Sequence, residues 1–185
     1  MYMDFITVLR FITGTFNREK VDFALIGGFA LQAAGVARTT RDIDLLILSE
    51  ESPRIKDIMT RHGYELIHES DDVLNFAGRK MELGRVDFLL AHRKYTLAML
   101  ARAEERSVLD GTLKVKTIRP DDLVGLKVQS SSNDPARFNQ DMADIRALVK
   151  NNYGTMDMDL VREYFVLFDR EDELDEIIKE VEDVK

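Results

Sequence analysis

The sequence predicts an α/β (α+β) fold followed by a helical C-terminal segment, and three observations carry that expectation. Short apolar runs rich in β-formers recur at 23–26, 64–68, 73–77, 85–90 and 114–118, with a further one opening at Asp42. Stretches with apolar residues at helical spacing lie between several of them. From Pro120-Asp121-Asp122 onward only helical periodicity remains. The expected organisation is an α/β core over 1–119 and a helical segment over 120–185 that packs back on the core to wall one side of its cleft.

The elements follow in order. Residues 3–13 predict an amphipathic helix with Phe5, Val8, Leu9 and Ile12 inward. Phe23 to Ile26 is too short and too β-rich for a helix, so it predicts a buried strand. Gly27 and Gly28 end it, because glycine permits a sharp turn and a close backbone approach to a ligand. Phe29 to Gly35 is rich in Ala, Leu and Gln, which favour helix. Glu50 to Arg61 predicts a helix with Ile55, Ile58 and Met59 buried; Ser52-Pro53 suits its first turn and Gly63 closes it. After the strands that follow, His92 to Ala103 predicts another helix. The tail predicts helices over 121–131, 135–150, 157–168 and 171–182, the last with Leu174, Ile177, Ile178 and Val181 on one face.

The chemistry concentrates in acidic residues on predicted strands. Asp42 and Asp44 are two apart in an extended segment, so both point to one face. Their Cα atoms are expected roughly 6 to 7 Å apart. Side chains at that spacing can bracket two cations about 3.5 to 4 Å apart. Asp87 lies in Gly84-Arg85-Val86-Asp87-Phe88-Leu89-Leu90, where Val86 and Phe88 share one face and Asp87 the other. A lone Asp in an apolar strand is costly unless it is paired or metal-bound. Three such carboxylates on neighbouring strands suit Mg²⁺ (or Mn²⁺), which prefers carboxylate and phosphate oxygens. A helix opening just after Gly28 would aim free N–H groups at a polyphosphate.

In the tail, Leu123, Leu126 and Ser130 cluster on one helical face, and Lys127 falls among them. Its charge either snorkels outward or serves a ligand, and in the first case an aliphatic residue there would be neutral or mildly stabilising. On the next helix Phe138, Met142, Ile145 and Val149 form the expected core stripe, with Arg137, Asp141 and Asp144 along one flank. These three either form a structural network around an Arg137–Asp141 pair or stand beside a ligand.

The run Ile26-Gly27-Gly28-x-Ala30, Gly35, Arg38-x-Thr40-x-Asp42-Ile43-Asp44, followed by the strand residue Asp87, resembles the signature of the DNA polymerase β-like nucleotidyltransferase superfamily. The fuller pattern is similar to the AbiEii-type branch of bacterial nucleotidyltransferases, which includes toxins of type IV toxin–antitoxin systems. Leu126-Lys127 and Asn133-Asp134-Pro135-x-Arg137-x-x-Gln140-Asp141-x-x-Asp144-Ile145 look like the lysine motif and the Asp-x-x-Asp-Ile helix of that branch. One departure stands out: many members carry Ser after the first glycine, where this chain has Gly28.

The resemblance implies a mixed sheet flanked by helices and in-line attack of an acceptor hydroxyl on the α-phosphorus of an NTP, with release of pyrophosphate. It implies Asp42, Asp44 and Asp87 as catalytic metal ligands, with Asp87 also helping to deprotonate the acceptor. It implies Gly27, Gly28, Arg38 and Lys127 around the phosphates, with Asp141 and Asp144 beside the nucleotide. Thr40 is expected to brace the loop that enters Asp42. Three functions are consistent with this. One is a toxin-type enzyme acting on RNA, protein or a small molecule, with an antitoxin or regulator encoded nearby. Another is an enzyme that modifies an aminoglycoside or lincosamide. The third is a non-catalytic nucleotide-binding or antitoxin-like protein, against which the three costly acids count.

Composition narrows the field. The 185 residues are 45% hydrophobic and 32% charged, enough for a core and for solubility. There is no cysteine, which excludes disulfides and Cys–zinc sites. The N-terminus lacks the basic opening of a signal peptide, and no uncharged apolar run approaches the roughly 20 residues of a membrane span. A cytoplasmic protein is expected. The net charge of −8 argues against a generally basic nucleic-acid surface. Two local basic groups, around Arg38–Arg61 and Arg79–Arg85, are either solvated surface or small patches. The three histidines show no metal-ligand spacing, although His92 follows the Asp87 strand and is a candidate to line the cleft.

Overall fold

A computed structural model describes residues 3–183. The chain folds into two compact units. The first comprises residues up to Ala33 together with Arg38–Ile118, and the second comprises Ala34–Ala37 with the chain from Arg119 onward.

The first unit is built on a mixed seven-stranded sheet. In chain order its elements are α1 (Phe5–Glu19), β1 (Phe23–Leu25), α2 (Gly27–Ala33), β2 (Asp42–Leu48), α3 (Ser52–Arg61), β3 (Tyr64–Glu69), β4 (Val73–Gly78), β5 (Arg85–Ala91), α4 (Lys94–Ala101), β6 (Glu104–Val108) and β7 (Leu113–Thr117). The strand order is β3-β4-β5-β2-β1-β7-β6. The central pair β2–β5 is parallel, as is β1–β7; the other pairs are antiparallel.

Alternation along the strands sorts the two faces. Ile43, Leu45 and Ile47 on β2, Val86, Phe88 and Leu90 on β5, and Leu74 and Phe76 on β4 all enter one hydrophobic core. Val8, Leu9, Ile12 and Phe16 of α1 and Ile55, Ile58 and Met59 of α3 complete it. Phe88 sits between Phe16 and Phe76, with ring centroids 6.1 and 5.7 Å away. Burying each such side chain is worth about 1.5–3 kcal/mol, which fixes the register and therefore which face the intervening aspartates occupy.

The second unit holds α5 (Pro120–Asn133), α6 (Phe138–Asn152), α7 (Met158–Val166) and α8 (Glu171–Glu182). Asn152 and Asn151 on α6 donate side-chain hydrogen bonds to the carbonyls of Ala34 (3.0 Å) and Gly35 (2.8 Å), tying the short segment to the helices. The Tyr164 hydroxyl of α7 donates to Asp122 at 2.6 Å, and its ring lies where a Cβ on Gly125 would go.

Three expectations about elements are corrected. The helix expected over 92–103 is shorter, and Glu104–Val108 forms β6. Its run Glu-Glu-Arg-Ser-Val is polar because the strand is a sheet edge, where charge discourages pairing with other chains. Phe138 is not core: it opens α6, is 40% exposed and lies under the Arg170 guanidinium, 5.2 Å from the ring centroid. Helix α1 runs on past residue 13 to Glu19, burying Phe16. Among the described residues no helix is long and apolar enough to cross a membrane.

Candidate active site

The site begins where β1 meets β2. The Ile26 N–H donates to the Asp44 carbonyl at 3.0 Å, so the chain turns directly beside the acidic strand. Gly27 follows with φ +61°, a conformation that favours glycine. A Cβ on Gly27 would run into the Asp44 carboxylate, and one on Gly28 would lie 2.5 Å from the Thr40 Cβ. The glycines therefore let the turn press its backbone against Asp44 and Thr40. This also explains the missing serine: any side chain at 28 meets Thr40. The Thr40 hydroxyl lies 2.9 Å from Asp42 Oδ1 and 3.1 Å from the Asp42 carbonyl, so it braces the entry to β2.

Asp42 and Asp44 share a face because Ile43 and Leu45 are in the core. The parallel register sets Asp44 directly opposite Asp87, and Asp42 opposite Arg85. Asp42, Asp44 and Asp87 each offer a carboxylate oxygen, and these oxygens lie within 4.8 Å of one another. Burial pushes the Asp87 carboxyl above the usual carboxylate range, and the Asp42 charge adds to this. A hydrogen bond from Asn75 and the charge of Arg85 act in the opposite direction. Asp87 Oδ1 is buried with no hydrogen-bond partner. An oxygen-only donor set with a buried, unpartnered carboxylate oxygen fits a hard divalent cation.

Asn75 is a residue that sequence reasoning missed. It stands directly opposite Asp87 in the antiparallel β4–β5 pair. Its signal was a single amide between the apolar residues Leu74 and Phe76, but only the register shows which residue it faces.

The remaining candidates have contacts of their own. Arg38 lies in the first unit, half-buried, and its carbonyl accepts from Gln32 at 2.6 Å. Lys127, Asp141 and Asp144 come together inside the helical unit. The Lys127 ammonium lies 2.7 Å from Asp141 and 2.9 Å from Asp144, and both carboxylates are buried. Arg137 reaches the other Asp141 oxygen at 3.4 Å, so the i,i+4 pair exists as part of a larger network. Lys127 therefore does not snorkel outward. His92 is no cleft residue: it lies five positions beyond Asp87, past the far end of β5, and its Nε2 is 2.7 Å from Asp72. Several of the basic residues are engaged in surface ion pairs, including Lys56–Glu69 (2.8 Å), Arg61–Asp57 (2.6 Å) and Arg79–Glu65 (3.2 Å).

The first unit thus sets a glycine turn against an Asp-x-Asp strand, with a third Asp on the parallel neighbour, on a mixed α/β sheet. The chain belongs to the family of nucleotidyl transferases of unknown function DUF2204, whose model matches residues 6–182. Among solved structures it is similar to the antibiotic-resistance factor ANT(2'')-Ia, at 15% identity and TM-score 0.64, covering 88% of this chain and 90% of that one. It is also similar to the lincosamide antibiotic adenylyltransferase LnuA, at 16% identity and TM-score 0.55, covering 80% and 98%. An antigenic nucleotidyltransferase-like protein from Paracoccidioides brasiliensis gives 15% identity and TM-score 0.57, covering 94% and 91%. No curated protein matches the chain. At these identities the structural likeness establishes the fold, and the family match establishes a nucleotidyltransferase.

Proposed function

We propose that this enzyme transfers an NMP group from an NTP to an acceptor hydroxyl, releasing pyrophosphate, with divalent metal held by Asp42, Asp44 and Asp87. The observation that carries this is the convergence of the three carboxylates, together with the unpartnered Asp87 Oδ1. When bound, Mg²⁺ or Mn²⁺ lowers the pKa of the attacking hydroxyl and neutralises charge on the transferring phosphoryl group.

The chain's own residues divide the remaining work. The backbone of Gly27 and Gly28 approaches the β- and γ-phosphates, which the absence of side chains permits. Arg38 adds positive charge on that side. Thr40 keeps Asp42 in place. Asp87, whose hold on a proton burial strengthens, accepts the proton of the acceptor hydroxyl. Because the glycine turn adjoins Asp44 on the β1 side, the acceptor approaches from the β5–β4 side, next to Asp87.

The acceptor has two supported classes. The AbiEii-like motif order supports a toxin-type enzyme with a partner antitoxin. The net charge of −8 and the shared fold with two antibiotic-related proteins support a neutral or cationic small molecule. The test is incubation with α- or γ-labelled NTPs, Mg²⁺ and separate pools of RNA, protein, aminoglycosides and lincosamides. Label is expected to move from the α position only, and Asp44→Asn is expected to abolish it. Labelling that persists in Asp44→Asn, or that comes from the γ position, contradicts the proposal.

A further inference from the structure

We propose that Asn75 is a positioning residue for Asp87: its amide engages the carboxyl so that Asp87 keeps an oxygen for the metal site. This rests on the metal-dependent reading above. Three observations lead to it. Asn75 and Asp87 are register partners on β4 and β5, and Asp87 is in turn the partner of Asp44 on β2. Asn75, Asp87 and Asp44 thus form one row across three strands, on the face opposite Leu74, Phe76 and Val86. The Asn75 amide lies opposite the Asp87 carboxyl, a donor that favours its charged form, while Asp87 Oδ1 has no hydrogen-bond partner.

The amide can serve a carboxylate only through its NH₂ group, because its carbonyl would meet the carboxylate lone pairs. One anchored oxygen removes the rotation by which Asp87 would otherwise turn its ligand oxygen away from Asp42 and Asp44. Residues that orient a metal ligand in this way are worth about 10–100-fold in metal affinity or activity. An apolar residue of the same size would pack as well in a half-buried strand position, so packing alone gives no reason for an amide here.

The test is Mn²⁺ binding to the metal-free full chain, read by electron paramagnetic resonance, with the melting temperature recorded alongside. Asn75→Leu keeps the branched shape and removes the donor. It is expected to weaken Mn²⁺ binding about 10–100-fold with little change in melting temperature. Unchanged Mn²⁺ affinity in Asn75→Leu, with binding lost in Asp44→Asn, overturns the role of Asn75 and leaves the metal site standing. A wild-type chain that binds no Mn²⁺ overturns both. If Asn75→Leu fails to fold, Asn75→Ala decides by the same two results.

Discussion

Two groups of carboxylates differ in the charge that stands beside them. In the helical unit, Asp141 and Asp144 are buried, and Lys127 lies within 2.7 and 2.9 Å of them. In the sheet unit, Asp42, Asp44 and Asp87 converge to within 4.8 Å, and Asp87 Oδ1 is left with no hydrogen-bond partner. The first group has a cation of its own in the fold, Lys127, beside both carboxylates. The second concentrates negative charge at a glycine turn, an arrangement that makes sense when the cation is supplied with the substrate. Acidic residues alone therefore do not mark a site; what completes them does.

The largest expected effect breaks the helical group. Lys127→Met leaves two buried carboxylates without their ammonium and is expected to cost about 3–5 kcal/mol of unfolding free energy. This reverses the expectation from helical spacing alone, by which an aliphatic residue at 127 would be neutral or mildly stabilising. Replacing Lys127, Asp141 and Asp144 together by apolar residues is expected to recover most of that loss, measured by denaturant unfolding. A Lys127→Met chain as stable as the wild type would mean that the ion pairs contribute little.

A smaller effect sharpens the sheet side. Gly28→Ala brings a methyl against Thr40 and is expected to cost about 1–3 kcal/mol, as overpacking does. Adding Thr40→Ala is expected to relieve most of it, at the expense of the hydroxyl contact with Asp42. Additive losses in the double variant, in the same unfolding measurement, would show that the turn does not rest on Thr40.

The smallest effect is a pH dependence. Burial raises the folded-state pKa of Asp87 above its ordinary value of 3.8. The folded chain then holds the proton more tightly than the unfolded chain. The stability this gives is fully present below 3.8 and is lost as pH rises through the folded value. In EDTA at neutral pH, Asp87→Asn is expected to raise stability by about 1 kcal/mol, the low end for relieving an unsatisfied buried polar group. That difference is expected to shrink as the pH falls toward 3.8. Thermal melts of both chains across pH check it, and a gap that widens at low pH would contradict the assignment of burial as the cause.

The acids of the sheet were legible in the sequence because they interrupt apolar strands whose period is two. Ile43 and Leu45 fix where Asp42 and Asp44 point, and Val86 and Phe88 do the same for Asp87. Asn75 interrupts its strand in the same way, but its importance depends on which residue the register sets opposite it. Lys127 was ambiguous for a related reason, since helical spacing gives a face and not the partner across it. Strand β6 was hidden because an edge strand needs no apolar alternation, and Phe138 misled because a helical stripe does not show where burial ends.

The most direct test of the central claim is calorimetric NTP binding to the wild-type chain, in Mg²⁺ and in EDTA. If the three aspartates await a cation that arrives with substrate, binding in Mg²⁺ is expected to be at least about tenfold tighter, roughly 1.4 kcal/mol. Equal affinity in the two conditions would contradict the account.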